Sequence, residues 1–131
     1  MTFRAHLLAA AMVLAAADAA PARAQDAAAG EKVFLACKAC HQVGETARNG
    51  IGPTLNGVVG RKAASVAGYN YSEAMKNSGL TWDAATLAAY NRDPKGTVPG
   101  TKMVYAGLKD DQKLRDLQAY LEQFQADGKK K

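Results

Sequence analysis

Cys37-Lys38-Ala39-Cys40-His41 is the stretch of this chain whose residue types and spacing can take hold of a cofactor. Positions three and four apart on a helix share a face, so a helical segment here brings both thiols and the imidazole to one side. Two thioether bonds from the cysteines would set the edge of a haem beside that segment with His41 aimed at the iron. C-x-x-C-H is the spacing of a c-type haem attachment site. Zinc is a poor alternative, because the chain has 2 cysteines and 2 histidines in all and His6 lies near its start, which leaves no second pair of ligands. A redox-active dithiol calls for a βαβ setting, whereas the flanks here read as helices joined by glycine-rich loops.

Haem iron has two axial positions, and the chain after its leader offers one imidazole, so a proximal histidine can only be His41. The sixth position is open to methionine, lysine, water or nothing. Met75 falls in a predicted helix, where methionine usually fills core. Met103 falls in Pro99-Gly100-Thr101-Lys102-Met103, where proline stiffness and glycine freedom can hold a loop at a fixed distance from a metal, and it is the favoured ligand. A Met/His pair raises the reduction potential and leaves no open coordination site, which suits moving one electron. Water in that position would instead make a peroxidatic or gas-binding haem protein. Lys102 adjoins Met103, so at rising pH its deprotonated amine, or that of Lys95, is expected to displace the sulfur.

The elements that must position these groups fit in one domain. Arg4 and His6 precede an apolar run over 7–17, and Ala22-Arg23-Ala24 has the small-x-small pattern of a cleavage site. Residues 1–24 therefore read as a cleaved secretory signal peptide, too short to span a bilayer, and 25–131 as the mature domain. Export to the periplasm also suits the thiols, which in an oxidising compartment need something to capture them. Of 17 basic and 12 acidic side chains, 15 and 11 remain after the leader, a formal charge of +4. The basic residues are dispersed without interleaved aromatics, which argues against nucleic acid and for acidic protein surfaces as partners. Lys129-Lys130-Lys131 reads as a solvated tail.

Residues 26–30 read as a flexible lead into a helix over 30–40, with Val33, Phe34 and Cys37 on its apolar face. Residues 44–68 are glycine-rich and aperiodic, a loop long enough to require a function such as wrapping a cofactor. Short helices are expected over 72–77 and 83–91, the second capped by Thr81 and stopped ahead of Pro94. Residues 93–107 read entirely as turn. Leu114, Leu117, Tyr120, Leu121 and Phe124 form the apolar stripe of a final helix, opened by Asp110 and Asp111 where the helix dipole favours anions. That stripe is expected to cross the first helix near Gly30 and Phe34, glycine permitting close approach. Nothing reads as an extended sheet.

Taken together, Cys37 to His41, Gly52-Pro53, residues 57–62, the spacing from Tyr71 to Trp82, and Pro99 to Met103 make nearly the whole mature chain resemble a short class I cytochrome c, of the mitochondrial and bacterial periplasmic kind. The resemblance implies an all-α fold of about four to five helices and long loops wrapped around one covalently bound haem c. It implies thioether links from Cys37 and Cys40, with His41 and Met103 as axial ligands. The Pro53 carbonyl would accept from the second nitrogen of His41 and so fix the ring. Arg61, Tyr71 and Trp82 would lie near the haem propionates, Tyr90 near the Met103 sulfur, and Thr101 among the haem-contacting residues. Trp82 and Tyr90, without the resemblance, read as ordinary core aromatics, and Arg61 as a surface charge. The implied role is a one-electron carrier, not an enzyme: a monomer without stable membrane insertion. It would shuttle between membrane complexes such as a quinol-oxidising reductase and an oxidase or reaction centre.

Several positions depart from the family pattern. Met75 stands where relatives often carry asparagine, Gly96-Thr97 replaces a more basic and aromatic pair, and Ala36, Asp110 and Asp111 replace lysines. The docking face is therefore expected to be weaker but still positive, carried by Lys38, Lys95, Lys102 and Lys109.

Overall fold

The computed structural model describes residues 25–131; the segment 1–24 read as a signal peptide lies outside them. Within the described residues five helices follow in order: α1 (Ala27–Phe34), α2 (Glu73–Lys76), α3 (Ala84–Arg92), α4 (Pro94–Thr97) and α5 (Asp111–Glu122). The expected all-α architecture is what forms, and the extended pairing present is two isolated bridges, Lys62 with Thr81 and Phe124 with Lys130.

α1 begins earlier and ends earlier than its apolar periodicity suggested. Asp26 caps it by accepting from the Ala29 N–H at 3.0 Å, and its own N–H donates to the buried Asp116 carboxylate at 3.0 Å. What read as a flexible lead is thus the cap and first turn, pinned to α5. Past Phe34 the backbone tightens into turns bonded three residues back, with Ala36 N–H to Val33 O at 3.3 Å and Cys37 N–H to Phe34 O at 2.8 Å. The cofactor motif therefore sits on a tightened continuation of the helix.

The contact between α1 and α5 is where expectation and structure agree most closely. A Cβ on Gly30 would stand 1.9 Å from the Asp116 carbonyl oxygen and 2.8 Å from the Tyr120 Cβ, so only glycine lets the two backbones approach this closely. One turn on, the Phe34 and Tyr120 rings meet at 5.3 Å, and Tyr120 meets Phe124 edge-on at 5.3 Å. These rings, with Leu117 and Leu121, bury the apolar stripe of α5.

Three local readings are corrected. Asp83 caps α3, accepting from Thr86 N–H at 2.8 Å. Thr81 is instead drawn into its bridge by the neighbouring bonds Trp82 N–H to Arg61 O at 2.8 Å and Gly60 N–H to Trp82 O at 2.7 Å. The stretch taken to be all turn contains α4, opened by Asp93 as cap with Pro94 in its first turn; proline there forfeits no hydrogen bond and starts the helix. The terminal lysines are exposed but not a free tail: Gln125 N–H donates to Lys129 O at 2.9 Å and Lys131 N–H to Gln123 O at 2.9 Å, folding the end back on Phe124. Residues 44–68 form no helix, as expected. They are tied instead to the turn that follows α5 by Gly57 N–H to Phe124 O at 3.0 Å.

Candidate haem-binding site

The motif turn holds its chemistry on one side through a single acceptor. The Cys37 carbonyl takes both the Cys40 N–H at 3.1 Å and the His41 N–H at 2.9 Å, so one turn is preserved after α1 ends. Both cysteines are unpaired and partly buried. Burial pushes the Cys37 thiol up, and the nearby Cys40 adds to it. Dithiol exchange needs a depressed thiol pKa, so this shift counts against that reading.

The imidazole of His41 is fixed twice. Its Nδ1 pairs with the Pro53 carbonyl at 2.8 Å, the partner expected from the sequence. That bond makes Nδ1 the protonated nitrogen and leaves Nε2 with its lone pair. Gly52 lies flat against the ring: a Cβ there would fall 2.4 Å from His41 Cε1. Burial lowers the His41 pKa, the Pro53 bond raises it, and the Arg61 charge lowers it again. Desolvation leads, so the ring is held neutral, as a metal ligand must be.

Across the chain, Tyr90 and Thr101 share a hydroxyl–hydroxyl bond of 2.7 Å, and Thr101 Oγ1 also accepts from the Met103 N–H at 3.3 Å. The buried Tyr90 of α3 thereby anchors the loop bearing Met103. Its phenol is pushed up mainly by that burial. Arg61 ties the long loop together: its Nη1 donates to Thr54 O at 3.1 Å and Asn56 O at 2.9 Å. Tyr71 accepts from the Val66 N–H at 3.1 Å, and Trp82 packs on Tyr90 at 4.9 Å between ring centres.

Every site residue expected from the sequence borders one cavity: Cys37, Cys40, His41, Pro53, Arg61, Tyr71, Trp82, Tyr90, Thr101 and Met103. Its volume is about 230 Å³, far beyond the ~10–15 Å³ one water needs. Phe34, Leu55, Val58, Leu87, Leu117 and Leu121 complete a mainly apolar lining. The donors present fit a haem on an independent ground. Arg61 Nε is a buried side-chain nitrogen without a partner, the one such atom among the described residues, on a residue that borders the cavity. A buried orphan donor costs about 1–3 kcal/mol unless something accepts from it, and an acidic haem edge is such an acceptor. Among the described residues no cluster of three His, Cys, Asp or Glu side chains could hold a metal ion by itself.

The comparisons agree with this geometry. The family model described as Cytochrome c matches residues 27–125. The chain belongs to the cytochrome c family. It is 55% identical over 116 residues to cytochrome c2 of Blastochloris viridis, spanning 88% of this chain and 91% of that one. It is 54% identical over 124 residues to cytochrome c-554 of Methylosinus trichosporium, spanning 95% and 94%. A solved cytochrome cH from Methylobacterium extorquens superposes with a TM-score of 0.70 at 56% identity, covering 74% of this chain and 97% of that one. As a class I cytochrome c the protein carries covalent haem c, its Cys37, Cys40 and His41 fitting the attachment motif, and it transfers electrons without being an enzyme.

Some cavity residues were not singled out from sequence. Gly52 was read as part of a turn and of a segment carrying the resemblance but given no role, although its lack of a side chain is what admits the His41 ring. Met75 is buried in the cavity wall, as a core filler would be. Tyr69 and Tyr105 also border it, and nothing in their local sequence marks them, because the groups they meet come from distant segments. The docking lysines are less independent than their exposure suggests: Lys102 donates to the Asn70 carbonyl and Lys109 to the Arg92 carbonyl. Lys102, one of the two lysines read as able to displace the Met103 sulfur, is thus engaged elsewhere.

Proposed function

We propose that this cytochrome c is a soluble periplasmic one-electron shuttle whose haem is bonded to Cys37 and Cys40 and held axially by His41 and Met103. The observation that carries the reading is the convergence of both cysteines, an oriented neutral imidazole and a loop-borne thioether on one apolar cavity. When bound, the haem supplies a one-electron Fe(II)/Fe(III) couple. Pro53 and Gly52 hold His41 Nε2 toward the cavity, and Tyr90 with Thr101 hold the Met103 segment. Arg61 Nε, with Tyr71 and Trp82, would donate to the haem propionates, a role supported by the unpartnered Arg61 nitrogen. The apolar lining excludes water, so little rearranges when the charge changes by one. His41 and Met103 together would leave no iron position open to a substrate, which would distinguish a carrier from a peroxidatic or gas-binding haem.

Docking would use the cavity mouth, where Ile51 (75% exposed) and Val104 (96% exposed) present apolar contact. The exposed Lys38, Lys95, Lys102 and Lys109 supply the positive charge that steers the protein to acidic surfaces of membrane redox complexes. No helix among the described residues is long and apolar enough to cross a membrane. A visible spectrum with and without reductant, repeated after denaturing extraction, tests attachment: the pigment stays with the polypeptide. A sulfur-to-iron charge-transfer band in the oxidised protein, lost in Met103→Ala, tests the sixth ligand. Ready binding of carbon monoxide by the unaltered ferrous protein would overturn the closed-site reading in favour of a gas-binding or peroxidatic haem. Transfer rates insensitive to ionic strength would overturn the lysine-steered docking.

A further inference from the structure

The loop that would present Met103 and the loop that orients the His41 ring are far apart in sequence and share no helix or strand. One side chain reaches both. The Tyr69 hydroxyl donates to the Ile51 carbonyl at 2.7 Å, immediately before Gly52 and Pro53, which fix the His41 ring. The Tyr69 ring lies under the Lys102 ammonium, 4.9 Å from nitrogen to ring centre, and Lys102 immediately precedes Met103. The same ammonium donates to the carbonyl of Asn70, so it is held from two sides of one loop. Tyr71 braces the Tyr69 ring edge-on at 4.8 Å. Ile51, Tyr69, Tyr71 and Lys102 all border the cavity.

The Met103 segment needs such support. Residues 101–110 contain no helix or strand. Their backbone is tied at one end by Thr101 N–H to Val98 O at 2.9 Å and at the other by Leu108 N–H to Asn91 O at 2.8 Å. Near Met103 itself the backbone tie is a long 3.3 Å bond to Thr101 Oγ1. The contacts of Tyr69 through Lys102 fall in the middle of that span.

We propose that Tyr69 is a positioning residue that clasps the Met103 loop to the loop carrying Gly52 and Pro53, and that its release opens the sixth coordination position to small ligands. The inference rests on Met103 being the sixth ligand. The two halves of the clasp are separable: Tyr69→Phe removes the bond to Ile51 and keeps the ring beneath Lys102, whereas Tyr69→Leu removes both. A neutral hydrogen bond and an exposed cation–π contact each contribute modestly. Imidazole affinity of the oxidised holoprotein, titrated at fixed neutral pH, should therefore rise about threefold in Tyr69→Phe and about tenfold in Tyr69→Leu.

Leu114→Ala supplies the control, since Leu114 is buried on α5 and does not border the cavity; it should lower the denaturation midpoint and leave imidazole affinity unchanged. Hydrogen exchange should quicken at the Thr101 and Met103 amides in Tyr69→Leu, with the α1–α5 amides unaffected. Unchanged imidazole affinity in Tyr69→Leu, or an equal rise in Leu114→Ala, overturns the clasp. If the unaltered protein lacks the sulfur-to-iron band, the ligand assignment falls and the clasp falls with it; if the band is present and Tyr69→Leu behaves as the parent, the clasp alone is wrong.

Discussion

The α1–α5 crossing and the cavity wall behind His41 are built on opposite principles. At the crossing, protein packs on protein: Gly30 against the Asp116 backbone, Phe34 against Tyr120, Tyr120 against Phe124. Along the wall, loops are joined to loops by individual hydrogen bonds, such as Arg61 to Thr54 and Asn56 or Tyr90 to Thr101, and their apolar side chains face a cavity. The first region is held chiefly by burial, with the Asp26 N–H to Asp116 bond at its edge. The second reaches its full burial only with a large flat group inside, so the cofactor completes the core as well as doing the chemistry.

The sharpest way to break that contrast is to withhold the haem, by expressing residues 25–131 without haem-attachment machinery or as Cys37→Ala with Cys40→Ala. The loop wall, including the amides of Gly52, Arg61 and Thr101, is expected to lose hydrogen-exchange protection, with a large fall in thermal stability read by circular dichroism. Equal protection with and without haem would show that the wall is self-supporting. Gly30→Ala comes next. Its Cβ would meet backbone at 1.9 Å, which no side-chain rotation relieves, so a loss of about 3 kcal/mol is expected in denaturant unfolding of the holoprotein. The absorption spectrum should stay unchanged.

Gly52→Ala is the complementary experiment on the wall. The clash is with the His41 ring, which can tilt, so a smaller cost of about 1–2 kcal/mol is expected. Here the spectrum and reduction potential should shift, because the imidazole that moves is the proposed ligand. The smallest effect is electrostatic. Asp111 at the start of α5 is bonded to Arg92, whose hydrogen bond and then charge hold its carboxyl below the usual 3.8. A lowered folded-state pKa means the native state holds this proton less tightly than the unfolded chain. The stabilisation is therefore fully present above 3.8 and fades as pH falls through that value toward the folded one. Asp111→Asn should slightly lower the melting temperature near neutral pH and match the parent in strong acid, where both carboxyl states are protonated. The pair is exposed, so salt should shrink the difference.

The contrast also explains what could be read in advance. The stripe from Leu114 to Phe124 and its meeting with Gly30 and Phe34 were legible because a helix repeats its environment every few residues and writes that period into the chain. α4 was obscured because Pro94 and Gly96 count as breakers unless Asp93 is recognised as a cap with proline in the first turn. Thr81 lost its role as cap to a bridge partner nineteen positions earlier, Lys62, which no local rule could weigh. Pro53, Arg61, Tyr71, Trp82, Tyr90 and Thr101 entered through resemblance, since neither period nor spacing connects them. Gly52 was quoted without a role and Tyr69 escaped notice, because their importance lies in what approaches them.

The sequence alone determined the cofactor and its point of attachment. Two thiols and an imidazole within five consecutive residues form a ligand set whose spacing is covalent and local, and little in the rest of the fold could alter it. Only the tertiary structure decided which guanidinium nitrogen is left without a partner and which tyrosine links the Met103 loop to the loop that carries Gly52 and Pro53. Those relations depend on distances between segments brought together by burial of the apolar faces. A linear chain encodes such distances collectively and not at any one position.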